Sequence, residues 1–247
     1  VTIKGDAIIK DAQGGAGAAG IGGGSYGDGD VKVSGNAIIA NTESAGYGSG
    51  IGAGQGSLRN NISTVGKVTI EGNAKIENAK SGSGGSGIGG GAIGIGNVII
   101  RGNAQIGNAT GGDEGAGIGG GGADNEDPNN FDGCLGGDAK VEIRGKNTII
   151  KKAVGHLGAG IGGGSTFVAA PGSLSYDGGS AEIEITDGAT VQEAVGGEGG
   201  AGIGSGAGRG FQSDKTYAHV TIKNATVESA KSGLPSKGKV YGAGIGG

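Results

Sequence analysis

The sequence predicts an all-β chain, folded as a single parallel β-helix of about seven coils with three short strands each. Three observations lead there: an isoleucine set in glycine recurs along the whole chain, an alternating strand stands twenty residues before it in six of seven copies, and, apart from a five-residue insertion in the last copy, length varies only after the third strand. With 67 glycines in 247 residues, composition alone would favour disorder. The regular glycine spacing favours a repeat fold instead.

The isoleucine landmark occurs in the frame small–Gly–Ile–Gly–small, as in "GAGIGGG" at 115–121. Its seven copies centre on Ile21, Ile51, Ile88, Ile118, Ile161, Ile203 and Ile245. An alternating strand lies twenty residues before each of the first six and twenty-five before the last. These strands read "VTIKG", "VKVSG", "VTIEG", "VIIRG", "VEIRG", "IEITD" and "VTIKN", from Val1, Val31, Val68, Val98, Val141, Ile183 and Val220.

A further short strand lies between these landmarks, such as "AII" at 7–9 and "AKI" at 74–76. The connections after the isoleucine vary in length, at 25–30, 55–67, 92–97, 122–140, 165–182 and 207–219. No segment has the 3.6-residue apolar spacing of a helix. Short strands with loops at one corner are typical of a parallel β-helix, in which each coil pairs with the next. We treat 1–247 as one domain and expect it to be a stretch of a longer array.

Two explanations fit the glycines beside each isoleucine. If isoleucine points inward, its flanking glycines point outward and, stacked over seven coils, form a strip of bare backbone. The conformational explanation is that the corner needs positive φ or a close backbone approach, which only glycine permits. The functional explanation is that a flat partner lies on an exposed strip.

Net charge and hydropathy exclude some partners. The formal net charge is −4, and no basic patch interleaved with aromatics occurs, so we expect no nucleic-acid partner. No apolar run reaches membrane-spanning length, so we expect no membrane insertion. Cys134 is the single cysteine, which excludes an internal disulfide.

Tandem "GAGIGGG" units alternating with "VTIxGN"-type strands resemble the glycine-rich repeats of large secreted or wall-anchored proteins of Gram-positive bacteria. The resemblance covers the whole chain. It implies a pectate-lyase-like, right-handed β-helix, an extracellular or cell-wall location, and an adhesin or carbohydrate-binding role. The repeat carries no catalytic residues of its own.

Titratable residues gather at one predicted edge. "GGDEG" and "GGEGG" place Asp113, Glu114 and Glu198 in equivalent turns of the fourth and sixth coils, about 10 Å apart along the axis, with His156 between them. These four are candidate catalytic residues of a polysaccharide-degrading enzyme. Chance explains the grouping about as well as function.

The longest connection contains "ADNEDPNNFDG", whose oxygen-rich side chains suit Ca²⁺. Candidate ligands are Asp124, Glu126, Asp127 and Asp132, although the spacing is not that of an EF-hand and a solvated polar loop fits as well. No other cofactor is expected.

Aromatic residues concentrate in the variable corner or its approach, where they could stack on sugar rings or pack their own loops against the rod. The candidate ligand-binding residues are Tyr26, Tyr47, Phe131, Phe167, Tyr176 and Phe211; Tyr217 and Tyr241 are the other two in this region.

The outer faces carry regular polar columns. Asn36, Asn73 and Asn103 occupy one turn position, and Asn41, Asn78 and Asn108 another, which predicts two amide ladders. On the first strands, Glu71 beside Arg101, and Arg144 near Glu142 and Glu184, predict charge pairs on a solvated face.

Three functions remain open from the sequence. The first is a non-enzymatic extracellular module that binds a glycan or a surface protein. The second is a β-helix lyase or glycosidase. The third is a passive stalk, or a segment that associates with itself end to end or side by side.

Overall fold

The computed structural model describes residues 1–57, 62–123, 135–166, 177–208, 216–233 and 242–247. Within these ranges the chain is all β, with no helix, and so none long and apolar enough to span a membrane. The strands form three parallel sheets that run the length of the molecule.

The first sheet contains the alternating strands that the sequence predicted. Each strand pairs in parallel with its counterpart in the next coil, and the valines stay in register, as Val31 opposite Val68 and Val68 opposite Val98. Its members are Thr2–Ile3, Gly29–Val33, Val65–Ile70, Ile95–Arg101, Ala139–Arg144, Ala181–Thr186 and Ala218–Lys223.

The second sheet is wider than predicted, because most of its strands have six or seven residues where the sequence indicated three. Pairing continues past the last inward isoleucine into polar residues, which the apolar pattern does not mark. The strands are Ile8–Gly14, Ile38–Ser44, Lys75–Ser81, Gln105–Thr110, Ile149–Val154, Thr190–Val195 and Thr226–Val227, with Ala230–Lys231 also paired to Thr190–Val195.

The third sheet is a column of two-residue strands, each made of the landmark isoleucine and the glycine after it. The strands are Ile21–Gly22, Ile51–Gly52, Ile88–Gly89, Ile118–Gly119, Ile161–Gly162, Ile203–Gly204 and Ile245–Gly246. Three stacked sheets with seven coils confirm the predicted β-helix.

The core is a stack of aliphatic side chains inside the coils. Ile51, Ile88, Ile118, Ile161 and Ile203 are each 0% exposed, and the inward residues of the other two sheets pack around them. Each buried side chain contributes about 1.5–3 kcal/mol through removal of its apolar surface from water. The outermost coils have a neighbour on one side, so the inward Ile9 is only partly buried and Ile245 is 48% exposed.

The glycines beside the isoleucines are required by close backbone packing, which confirms the conformational explanation. A Cβ on Gly50 would lie 2.6 Å from the carbonyl oxygen of Gly87 and 2.7 Å from the nitrogen of Lys80, both in the next coil. Gly52 has φ +136°, and a Cβ there would overlap the carbonyl oxygen of Gly89.

The predicted strip of exposed backbone is wrong for the central coils. From the second coil to the sixth, the glycines on both sides of the isoleucine are buried, and only the first and last coils expose theirs in part. Because successive coils stack this closely, the missing side chains leave no groove. The strip therefore cannot be the surface on which a flat ligand lies.

Candidate functional site

The connections between the third strand and the next coil form an open groove of about 790 Å³, here called the Tyr217 groove. Among the described residues its lining combines aliphatic, hydroxyl, carboxyl and aromatic side chains. They are Ser57, Ile62, Ser63, Ile93, Ile95, Leu135, Gly136, Gly137, Asp138, Asp177, Gly178, Ser180, Thr216 and Tyr217.

Five successive connections contribute to this groove, so it runs along the rod axis. One coil spacing is about 4.8 Å, and four spacings correspond to about 19 Å. The first strands of the coils hold the lining in register, since Ala139 pairs with Ala181 and Ala181 with Ala218. The residue before each of these alanines thus stacks in one column, which contains Asp138, Ser180 and Tyr217.

Apolar side chains and one aromatic ring supply the hydrophobic part of the groove. Tyr217 is 65% exposed and Leu135 is 47% exposed. The backbone of Tyr217 is fixed, because its carbonyl accepts a hydrogen bond from the Ala181 nitrogen at 2.9 Å and its nitrogen donates to Ser180 Oγ at 3.3 Å. An exposed ring on fixed backbone is a stacking surface that costs little ordering on binding.

Two carboxylates occur among the described lining residues. Asp138 Oδ1 accepts a hydrogen bond from the backbone nitrogen of Ser180 at 2.8 Å, which places its side chain against the next coil. The Asp177 carbonyl accepts from the Gly136 nitrogen at 3.0 Å. Within the described part of the chain, Asp177 Oδ1 is buried without a hydrogen-bond partner. The described lining contains no Lys, Arg or His.

A second groove, of about 660 Å³, lies where the second strands turn toward the third, and we call it the His156 groove. Its described lining consists of Tyr47, Ser83, Asp113, Glu114, Ala123, His156, Leu157 and Glu198. The structure therefore brings all four candidate catalytic residues together, with one of the candidate aromatics.

In the His156 groove, His156 and Asp113 are largely solvent-exposed, whereas Glu114 and Glu198 are half-buried. His156 Nδ1 lies 3.8 Å from Asp113 Oδ1, and these side chains are 56% and 68% exposed. The two turns are held by backbone contact, because the Leu157 nitrogen donates to the Asp113 carbonyl at 2.9 Å. Imidazole and carboxyl groups are the types that act in general acid–base catalysis, but His156 and Asp113 lack the burial that is typical of a tuned general acid or base.

Of the remaining predicted site residues, Tyr26 is the one that the structure describes. Tyr26 is 45% exposed in the first connection, with φ +61°, and lines neither groove. Four predicted ligand-binding aromatics and all four predicted calcium ligands lie outside the described residues: Phe131, Phe167, Tyr176, Phe211, Asp124, Glu126, Asp127 and Asp132. Within the described ranges, no three His, Cys, Asp or Glu side chains are placed to hold a metal ion.

The sequence placed Tyr217 among the aromatics of the variable corner or its approach, but Tyr217 was not one of the six candidate ligand-binding residues. The repeat alignment held a usable signal, since it places Tyr217 in one column with Ser180 and Asp138. Neither the size of the groove nor the other connections that line it could be read from that alignment.

The outer faces of the sheets carry the charge pairs and amide ladders that the sequence predicted. Glu71 contacts Lys32 Nζ at 2.6 Å and Arg101 Nη2 at 2.6 Å, and the hydrogen bonds from Lys32 and then Arg101 lower the pKa of its carboxyl group. Arg144 pairs with Glu142 at 2.7 Å. These groups neutralise one another on a solvated face, which is a structural arrangement rather than a reactive one.

Both asparagine ladders form and extend further than predicted. In the first, each amide nitrogen donates to the residue one coil earlier, with distances of 2.8–3.0 Å, through Asn147, Asn103, Asn73, Asn36 and Asp6. In the second, the same pattern runs through Asn108, Asn78, Asn41 and Asp11. The ladders stabilise the coil stack. Because the residues of these ladders have a structural role, we look for a binding site at the loop corner.

The fold and the two grooves define the chain as a repeat protein of the parallel β-helix class, with its variable surface at one corner. No family model, curated protein or solved structure matches the chain. The function must therefore be argued from the grooves themselves.

Proposed function

We propose that the chain is a non-enzymatic, extracellular β-helix module of a bacterial surface protein that binds carbohydrate through the Tyr217 groove. The observation that carries the proposal is the combination of an exposed tyrosine, aliphatic side chains and carboxyl and hydroxyl groups in one open groove.

Sugars have apolar ring faces and hydroxyl edges, so a site for them needs both kinds of surface. Tyr217 and Leu135 offer the apolar surface, while Asp138 and Thr216 offer hydrogen-bonding groups at the side. The groove is open along its length, as the binding of a polymer requires. The rigid coil stack beneath it holds these groups in place without the ligand.

The bacterial surface location rests on the resemblance of the "GAGIGGG" units to repeats of secreted and wall-anchored proteins of Gram-positive bacteria. An adhesin would use such a rod to present the groove away from the cell. A protein ligand on the same surface is the other partner that this role allows.

Binding to immobilised plant, host and microbial polysaccharides tests the proposal, with and without Ca²⁺ so that the predicted calcium loop is tested together with it. We expect retention that Tyr217→Ala weakens about tenfold, because a stacked ring contributes on the order of 1–2 kcal/mol. Tyr26→Ala is the matched control, because it removes an exposed tyrosine outside the groove. Equal loss in both variants would contradict binding at Tyr217.

A polysaccharide-cleaving enzyme is the second candidate, because the His156 groove does gather Asp113, Glu114, His156 and Glu198. Released reducing ends and unsaturated products are measured in the same tubes. Product that is lost in His156→Ala but kept in Tyr217→Ala would favour the enzyme. Retention without product would favour the binding module.

A passive stalk is the third candidate. The burial of the central glycines favours it, because the glycine strip is then not available as a binding surface. If no polysaccharide of the panel is retained and none is cleaved, the stalk remains as the function. The chain would then serve to space other parts of its parent protein.

A further inference from the structure

We infer that the Tyr217 groove recognises linear β-1,4-linked glycans of about four rings or more, bound between Ile95 at one end and Tyr217 at the other. The inference rests on the proposed function, because it names the class of carbohydrate and a second contact residue in the same groove. Ile95 is then a specificity-determining residue, since its distance from Tyr217 decides how long a ligand must be.

Ile95 and Tyr217 belong to one column of side chains that runs along the groove. In the first sheet Gly96 pairs with Ala139, and the same register continues through the two later coils. The residues that directly precede these paired positions stack in one column and all line the groove: Ile95, Asp138, Ser180 and Tyr217. Three coil spacings of about 4.8 Å separate Ile95 from Tyr217, which corresponds to roughly 14 Å.

The two ends of this column are apolar and its centre is polar. Tyr217 is 65% exposed and offers a ring face, and Ile95 is half-buried and offers an aliphatic side chain. Between them, Asp138 and Ser180 contribute a carboxyl and a hydroxyl group. Sugar rings have apolar faces and hydroxyl edges, so the outer rings can pack on the ends of the column while the inner rings meet hydrogen-bonding groups.

Both end residues are positioned before any ligand binds. The Ile95 nitrogen donates to the Thr64 carbonyl at 2.8 Å, and Ile95 pairs with Val65 in the preceding coil. The Tyr217 nitrogen donates to Ser180 Oγ at 3.3 Å. Because the coil stack fixes the distance between the two ends, the length of the ligand determines whether it contacts one end or both.

The linkage follows from the spacing of the coils. A β-1,4-linked chain of hexoses is extended and its rings repeat at nearly the coil spacing, so successive rings can face successive coils. An α-1,6-linked chain has an additional rotatable bond at each linkage and would lose more conformational entropy on lying straight. About four rings of the β-1,4-linked chain cover the roughly 14 Å between Ile95 and Tyr217.

Calorimetry with oligomers of increasing length tests the inference. The probes are β-1,4-linked oligomers of glucose and of N-acetylglucosamine with two to six rings, and the α-1,6-linked glucose tetramer has the same length as the β-1,4-linked tetramer but a different linkage. In the β-1,4-linked series that binds more tightly, we expect the affinity to rise about tenfold from dimer to tetramer and less than about threefold from tetramer to hexamer. The α-1,6-linked tetramer should bind no more tightly than the β-1,4-linked dimer.

Variants at the two ends locate the contacts. Ile95→Ala and Tyr217→Ala should each weaken tetramer binding about threefold to tenfold and dimer binding less than about twofold, because a dimer can still use the intact end. Ile99→Ala is the matched control, since Ile99 lies on the same face of the same strand and is also half-buried, but does not line the groove. It should leave both affinities unchanged. Circular dichroism of each variant confirms that it is folded.

The outcomes separate the inference from the proposed function. Equal affinity for dimer and tetramer, equal binding of the α-1,6-linked tetramer, or tetramer binding that Ile95→Ala leaves unchanged would overturn the inference while carbohydrate binding at Tyr217 stands. Retention of a polysaccharide without binding of any β-1,4-linked oligomer would also overturn the inference alone. Lack of binding by every oligomer and polysaccharide would overturn both.

Discussion

The stacking of glycines in the third sheet predicts a graded response to alanine. Three glycines separate the two physical causes of strain. Gly15 has an ordinary φ and open space within 4 Å of the position that a Cβ would take; Gly5 has the same open space but φ +70°; Gly119 has φ +134° and a Cβ that would overlap the Gly162 carbonyl. Alanine therefore introduces no strain at Gly15, backbone strain from positive φ at Gly5, and both that strain and a steric clash at Gly119.

The magnitudes follow from the two causes. Gly15→Ala should change the free energy of unfolding by less than about 0.5 kcal/mol, as most surface substitutions do. Gly5→Ala should cost about 1–2 kcal/mol, the strain of a left-handed conformation for an L-residue. Gly119→Ala should cost about 3–5 kcal/mol, because a conformation open almost only to glycine is combined with a backbone clash that must push two coils apart.

Urea unfolding of the three variants, followed by far-ultraviolet circular dichroism, measures the series. Because coils unfold as neighbours, the slopes of the transitions must agree before the free energies are compared. Equal costs at Gly5 and Gly119 would refute the close packing of the third sheet. A harmless Gly119→Ala would refute the structural explanation of the glycines altogether and restore the exposed strip.

The other predictions concern the core, the ladders and pH. Ile118→Ala should cost about 2–5 kcal/mol, and Ile245→Ala about 1 kcal/mol or less, because Ile118 is 0% and Ile245 48% exposed; equal losses in urea unfolding would contradict the burial. Asn73→Ala should cost about 1–2 kcal/mol through two lost hydrogen bonds, and Asn73→Asp, which can still accept one, should cost less in the same assay. Glu71 has a lowered pKa, so its ion pairs stabilise the fold above the ordinary value of 4.5 and this contribution is lost as pH falls below it. Glu71→Gln should therefore lower the melting temperature at pH 7 and progressively less below pH 4.5; a constant difference across pH would contradict the ion pairs.

The repeat could be predicted from the sequence alone, because each coil must satisfy the same packing as the coil beside it. The isoleucine column, the alternating first strands and the asparagine ladders all follow from identical residues at identical positions, and the structure confirms them. The pairing of Glu71 with Arg101 was predictable in the same way, from neighbouring positions in one column.

The surfaces that are open to a ligand depend on the tertiary structure. Strand alternation alone predicts an exposed strip at the flanking glycines, but in the central coils the backbone of the next coil packs against both glycines and buries them, and the glycine after each isoleucine has positive φ. The Tyr217 groove likewise arises from connections of unequal length and sequence, which share no pattern. The conformation of these connections depends on contacts between coils, and such contacts form only when the coils are stacked. A repeating sequence thus specifies its scaffold locally, while the binding surface at the corner is set by the way the non-repeating parts meet.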